Sequence, residues 1–129
     1  MPDKGARTRK RIIHAALHLF SVKGYFHTSI SDILSATELT KGGLYCHFQS
    51  KEDIWYAVYD EAVRVWRQMV LNNMRTETDP LRRIEKTCDR VLRRYLEGEI
   101  FDGGCFFVNM LVELSGQSAS MTRHILKGF

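Results

Sequence analysis

The sequence predicts an all-α chain in which three N-terminal helices form a head and the helices after them form a body. Three observations carry that expectation. Apolar residues recur at helical spacing through most of the 129 residues. Ser, Thr and Asp stand just ahead of the apolar runs, where helix caps belong. No strand signal competes with them.

Residues 9–23 read as the first helix, because Ile13, Ala16, Leu17 and Phe20 make one apolar stripe and Gly24 supplies a C-cap. A second, short helix starts at Thr28 or Ser29 and ends near Ala36. Ser29 with Asp32 forms a pair like a capping box, and Ile30, Ile33 and Leu34 give the inner face. After a tight connection over 37–39, Thr40 caps a third short helix with Leu44 and Phe48 turned inward. Its first turn holds Gly42 and Gly43, each costing a helix about 1 kcal/mol relative to alanine, so something other than helix stability must favour them. Ser50 with Asp53 repeats the capping pattern and opens a long fourth helix over roughly 51–74. Its stripe is Trp55, Val58 or Tyr59, Ala62, Trp66, and Met69 or Val70. Asp79 and Pro80 open a fifth helix that carries Leu81, Ile84, Cys88, Val91 or Leu92, and Tyr95, and ends at Gly98. A loop over 97–104 precedes a sixth helix at 105–115, with Phe106, Phe107, Met110, Leu111 and Leu114 on its apolar side. Residues 118–127 begin a seventh.

Composition narrows the function. A hydrophobic fraction of 44% and a charged fraction of 26% suit a soluble globular chain. No run approaches the ~18 apolar residues of a membrane span, so no membrane partner is expected. The basic start followed by apolar residues faintly suggests a signal peptide, but His14 and His18 interrupt it and no cleavage site follows. Three cysteines, Cys46, Cys88 and Cys105, form no disulfide framework and fit a reducing compartment, so the chain reads as cytoplasmic. The net charge of +4 lies wholly in the first fifty residues, which hold seven Lys/Arg and three Asp/Glu against twelve of each in the rest. A basic head joined to a neutral body suggests that the head binds a polyanion. The expected division is 1–50 for the head and 51–129 for the body.

A support helix, a short helix, a turn and another short helix make a helix-turn-helix, whose last helix enters the DNA major groove. At "RKRIIHAALHLFSVKGYFHTSISDIL" and "TKGGLYCHFQSKEDI" the sequence resembles the DNA-binding head of the tetracycline-repressor (TetR) family. The resemblance runs from about Arg9 to Ala62. It includes Ala15-Ala16, Phe20, Lys23-Gly24-Tyr25, Thr28, Ile33, Lys41-Gly42, Leu44-Tyr45, His47-Phe48 and Ser50-Lys51-Glu52. "GCFFVNMLVELS" at 104–115 resembles a stretch found in a subset of these regulators.

The resemblance implies a DNA-binding role for ten residues. Thr28 would bind a phosphate through its hydroxyl and nearby amides. Thr40 would cap the recognition helix and touch phosphate, and Lys41 would reach into the major groove. Gly42 and Gly43 would let backbone approach the DNA. Tyr45, His47 and Lys51 would bond phosphates, and Arg9 and Lys10, with Arg7 and Arg11, would attract phosphate from an N-terminal arm. Three positions depart from the family pattern. Glu38 stands where the turn often has Gly, Gly43 replaces a residue able to contact a base, and Cys46 replaces an aromatic or Arg.

The resemblance also implies a ligand-responsive repressor that dimerises through C-terminal helices, binds a palindromic operator and is released by a small-molecule effector. Trp66, Phe106, Phe107 and Met110 are the candidate pocket wall. The family continues for two or three further helices, so this chain is expected to be C-terminally truncated and to dimerise poorly. No cofactor, metal or catalytic set is called for. His14 and His18 have a metal-ligand spacing but no third ligand, and read as a polar helix face. Asn109 and Glu113, four apart, would bond each other or a ligand. The alternative from another class is a protein-interaction module that kept the fold and lost DNA binding.

Overall fold

Caps fix where the helices begin. In the computed structural model, which describes residues 3–72, 74–97 and 101–127, seven α-helices follow in order. They are α1 (Lys4–Lys23), α2 (Ile30–Thr37), α3 (Lys41–Tyr45), α4 (Lys51–Leu71), α5 (Pro80–Arg90), α6 (Phe106–Leu114) and α7 (Ala119–Leu126). Wider π-type turns continue α5 over Val91–Leu96. Ser29 and Asp32 complete a reciprocal capping box, and the hydroxyls of Thr40, Ser50 and Ser118 each accept an amide three residues on. These bonds satisfy donors that a helix start would otherwise leave open.

Two boundaries differ from expectation. Asp3 caps α1 by accepting from the Ala6 amide at 2.6 Å, so the helix begins at Lys4, five residues before the expected start at residue 9. Arg7, Arg9, Lys10 and Arg11 therefore lie on helical turns and do not form an extended arm. The turn after α2 is left-handed: Glu38 adopts φ 58° and ψ 26°, a conformation that favours Gly.

A single core runs through head and body. Ile12, Ile13, Ala16 and Phe20 of α1, Ile33 of α2 and Leu44 of α3 are buried, and they are continuous with Ile54, Trp55, Val58, Tyr59 and Ala62 of α4. Phe106, Met110 and Leu114 of α6 and Met121 and Ile125 of α7 close the same core. Gly103 allows the loop before α6 to press on α1, since a Cβ there would overlap the Ser21 carbonyl.

The fifth helix overturns one expectation. Leu81, Ile84, Cys88 and Leu92 are exposed, and only Val91 of the described stripe is partly buried. The Tyr95 side chain and Gly98 lie outside the described residues. Polar side chains hold α5 to the end of α4 and to the segment that follows it. Arg90 donates to the carbonyls of Val70 and Asn72, Arg83 to that of Met74, and Lys86 pairs with Glu77 at 2.7 Å. The spacing is helical, but among the described residues only Val91 of the stripe packs against the core.

A non-Gly residue in the left-handed region costs roughly 1–2 kcal/mol. Glu38→Gly is expected to raise the unfolding free energy by about 1 kcal/mol, after glycine's own entropy is set against the relieved strain. Urea denaturation of the two chains, with equal slopes, checks this.

Candidate nucleic-acid interface

The third helix has only five residues, so its neighbours must hold it in place. The Thr40 hydroxyl accepts from the Gly43 amide at 3.1 Å, and the buried Leu44 and Phe48 anchor the helix from within. Lys41, Gly42, Tyr45 and Cys46 remain on its exposed side. His47 is half-buried against the first turn of α1, and the Arg9 guanidinium lies 5.1 Å from the centre of the Phe48 ring. Arg9 and His47 thus border one polar cleft between α1 and the start of α4. Lys10 is exposed on α1. The geometry brings Arg9, Thr40, Lys41, Gly42, Tyr45 and His47 around one short helix, with a cationic flank supplied by α1.

The two glycines separate. A Cβ on Gly42 would meet nothing within 4 Å, so this backbone is open to an approaching surface. A Cβ on Gly43 would sit 3.3 Å from the capping hydroxyl of Thr40 and 3.8 Å from Leu39. Gly43 therefore faces the cap and the turn, and its lack of a side chain is explained by packing.

Two further candidates have partners within the fold. Thr28 is fully buried, and its hydroxyl donates to the Gly24 carbonyl at 2.7 Å and, at 3.4 Å, to that of Leu19. Its oxygen is turned into the fold and ties the end of α1 to the start of α2. Lys51 is half-buried and donates to the carbonyls of Tyr25 at 3.0 Å and Thr28 at 3.2 Å. Its ammonium stands 4.2 Å from the centre of the Tyr25 ring. Burial lowers the Lys51 pKa, and the charge of Glu113 opposes that shift. The cation is already engaged inside the protein. Both residue types suit phosphate, which is why the sequence suggested it; their carbonyl partners carry no sequence signal.

Residues 12–58 match the family of bacterial regulatory proteins called the tetR family. The matched segment belongs to the TetR family. An uncharacterised HTH-type transcriptional regulator from the lacX 3′ region of Lactococcus lactis subsp. lactis is 34% identical over 84% of this chain and 55% of its own. The HTH-type transcriptional repressor DhaR of Mycobacterium sp. (strain GP1) is 29% identical over 96% of this chain and 62% of its own. A TetR transcriptional regulator from Chloroflexus aurantiacus superposes with a TM-score of 0.87 and 34% identity, covering 97% of this chain and 63% of that one. The chain thus spans between about half and two thirds of the length of these relatives.

The four residues expected to wall a pocket divide into two pairs. Phe106 and Met110 are fully buried in the core, the first among the rings of Tyr59, Phe101 and Phe107, the second accepting the Trp55 indole N–H on sulfur at 3.3 Å. Both side chains are packed within the core. Trp66 and Phe107 are half-buried and meet edge to face at 6.4 Å. Asn109 and Glu113 do not bond each other. Asn109 donates to the Gly103 carbonyl at 2.9 Å, and Glu113 accepts from the amides of Tyr25 and Phe26. His14 and His18 each face a carboxylate, Glu61 at 3.6 Å and Asp102 at 2.7 Å. No described helix is long and apolar enough to cross a membrane.

Asp32 ties the helix-turn-helix to pH. The Ser29 amide, with Lys23 and the Ser29 hydroxyl, holds its carboxyl down at about 2 from the usual 3.8. A depressed carboxyl stabilises the fold above its unfolded pKa and ceases to do so as pH falls through the folded one. The thermal midpoint is expected to drop between pH 3.8 and about 2 by an increment that Asp32→Asn lacks. Calorimetry of both chains across that window checks it.

Proposed function

We propose that this chain is the DNA-binding and partial regulatory portion of a ligand-responsive transcriptional repressor. Residues 1–50 would form the operator-binding unit and residues 51–129 the effector-binding and dimerisation unit. The observation that carries the reading is the exposed Lys41–Gly42–Tyr45 side of a capped, anchored α3, with Arg9 and His47 beside it. Lys41 would reach a base edge. Arg9, Lys10, Thr40, Tyr45 and His47 would bond phosphates, which position the helix without reading sequence.

Two such heads in a homodimer would place their α3 helices in successive major-groove turns, about 34–36 Å apart, on a palindromic operator. A small-molecule effector would favour a different head separation and so release the DNA. Trp66 and Phe107, the half-buried pair, support an effector wall between α4 and α6. The name of the Mycobacterium relative, a transcriptional repressor, supports the sign of regulation. The chain would act in the cytoplasm, as the free cysteines suggest.

Binding to a random duplex, measured as a function of salt, tests the reading. The logarithm of affinity is expected to fall against log salt with a slope of about −0.9 per phosphate contacted. Lys41→Ala should cost about 1–3 kcal/mol on an operator selected from random DNA, and His47→Ala should weaken all sequences alike. Absence of any salt-dependent binding would instead favour an interaction module on the same fold.

A further inference from the structure

The turn between α1 and α2 is held from two sides by opposite charges. Glu113, on α6, accepts from the Tyr25 amide at 2.9 Å and from the Phe26 amide at 2.7 Å. Lys51, the first residue of α4, donates to the carbonyls of Tyr25 and Thr28 at 3.0 and 3.2 Å. The peptide units of the turn therefore point their N–H groups at an anion and their carbonyls at a cation. Gly24 makes room for this. Its φ is +86°, and a Cβ there would come within 2.9 Å of a Glu113 carboxylate oxygen.

We propose that Glu113 is a positioning residue for DNA binding: it is the latch by which α6 fixes the α1–α2 turn and, through the turn, the helix-turn-helix. The inference rests on the reading of α3 as a DNA-binding helix. The turn and the start of α2 are one mechanical piece, because Thr28 donates back to Gly24 and Ser29 caps α2. The far end of α2 is tied to α1 by Arg11, which donates to the Thr37 carbonyl at 2.6 Å, and leads through Glu38–Thr40 into α3. A displaced turn therefore carries α2 and α3 with it.

The other end of the latch belongs to the body. Phe106, Met110 and Leu114 seat α6 against Trp55 and Tyr59, so a change in how those rings pack moves the carboxylate. Charge-assisted bonds to an amide weaken steeply with distance and angle, and a small shift of α6 releases both at once. The remaining body contacts near this region act elsewhere. His18 meets Asp102 at 2.7 Å and Gly103 abuts Ser21, and both hold the C-terminal half of α1 rather than the turn.

The test uses the full 129-residue chain with Glu113→Gln and Glu113→Ala. Gln keeps the length but offers one acceptor oxygen in place of two, so it keeps the packing while breaking the pair. Each chain is titrated with a random duplex of about 20 base pairs, two helical turns, and with a duplex of that length enriched by the wild type from random DNA. Hydrogen exchange is read at the Tyr25 and Phe26 amides. Both variants are expected to exchange faster there and to lose about 5-fold or more affinity for the enriched duplex, Ala more than Gln. Affinity for the random duplex and its salt slope should stay at the wild-type value, because Arg9, Lys10 and His47 still face it.

Faster exchange with undiminished affinity for the enriched duplex overturns the proposal and leaves Glu113 a purely structural partner of two amides. Equal losses on both duplexes with a lowered unfolding midpoint overturn it as well, since they report general destabilisation. Unchanged exchange overturns it by removing the latch itself. A wild-type chain that binds neither duplex defeats the DNA-binding reading, and that result differs from a wild type that binds while both variants bind equally.

Discussion

The burial of one face of α4 against both head and body is the constraint on which the other contacts depend. Ile54, Trp55, Val58, Tyr59 and Ala62 are all buried, and burial of each large side chain stabilises the fold by about 1.5–3 kcal/mol. Trp55 is the centre of this face. Its ring stacks on Tyr59 at 5.2 Å, meets His124 of α7 edge-on at 5.9 Å, and its N–H reaches Met110 of α6. His124 is held in turn by Asp60 at 2.7 Å. The first residue of α4, Lys51, bonds to the Tyr25 and Thr28 carbonyls of the head, and its middle turns pack against α6 and α7. Head and body therefore share a rod, and neither repacks without the other feeling it.

The head uses that rod to hold an element that would not survive alone. A five-residue helix with two glycines in its first turn is far below the length at which isolated helices persist in water. It exists because Thr40 caps it, Leu44 and Phe48 anchor it, and Arg9 lies over the Phe48 ring. The Glu38 turn leads into it at a local cost that surrounding contacts offset. Local strain and poor helix propensity are concentrated where the surface is proposed to meet DNA, and the stabilising burial sits one turn further in.

Much of this was legible in the sequence, and the parts that were not share a physical reason. Caps at Ser29, Thr40, Ser50 and Asp79 were readable because a cap is a local bond between residues two or three apart. The same kind of signal at Asp3 does not stand out, because the apolar stripe that defines a helix in sequence starts several residues after the helix itself. Period told that α5 is a helix but not what covers it, and Leu81, Ile84 and Leu92 proved exposed. Hidden altogether were bonds from side chains to distant backbone: Thr28 to Gly24 and Leu19, Lys51 to Tyr25 and Thr28, Glu113 to Tyr25 and Phe26. A backbone amide or carbonyl is the same at every position, so such partners leave no mark in residue identity.

Those hidden bonds change the account of recognition as well as of packing. Thr28 and Lys51 look like phosphate ligands by type, yet both are engaged in carbonyl contacts within the fold. On the proposed reading the phosphate-facing set then reduces to Arg9, Lys10, Thr40, Tyr45 and His47. On the open side of α3 the side chains able to reach a base edge are few, with Lys41 foremost. Gly42 offers space and no group to fill it, and Gly43 is turned toward its own cap. With so few base contacts available, discrimination between operators would draw on the duplex's own shape and deformability, which are read through how rigidly the protein presents its phosphate contacts. Rigidity of presentation is what the turn between Glu113 and Lys51 supplies, so the bonds least visible in the sequence are those on which such readout would most depend.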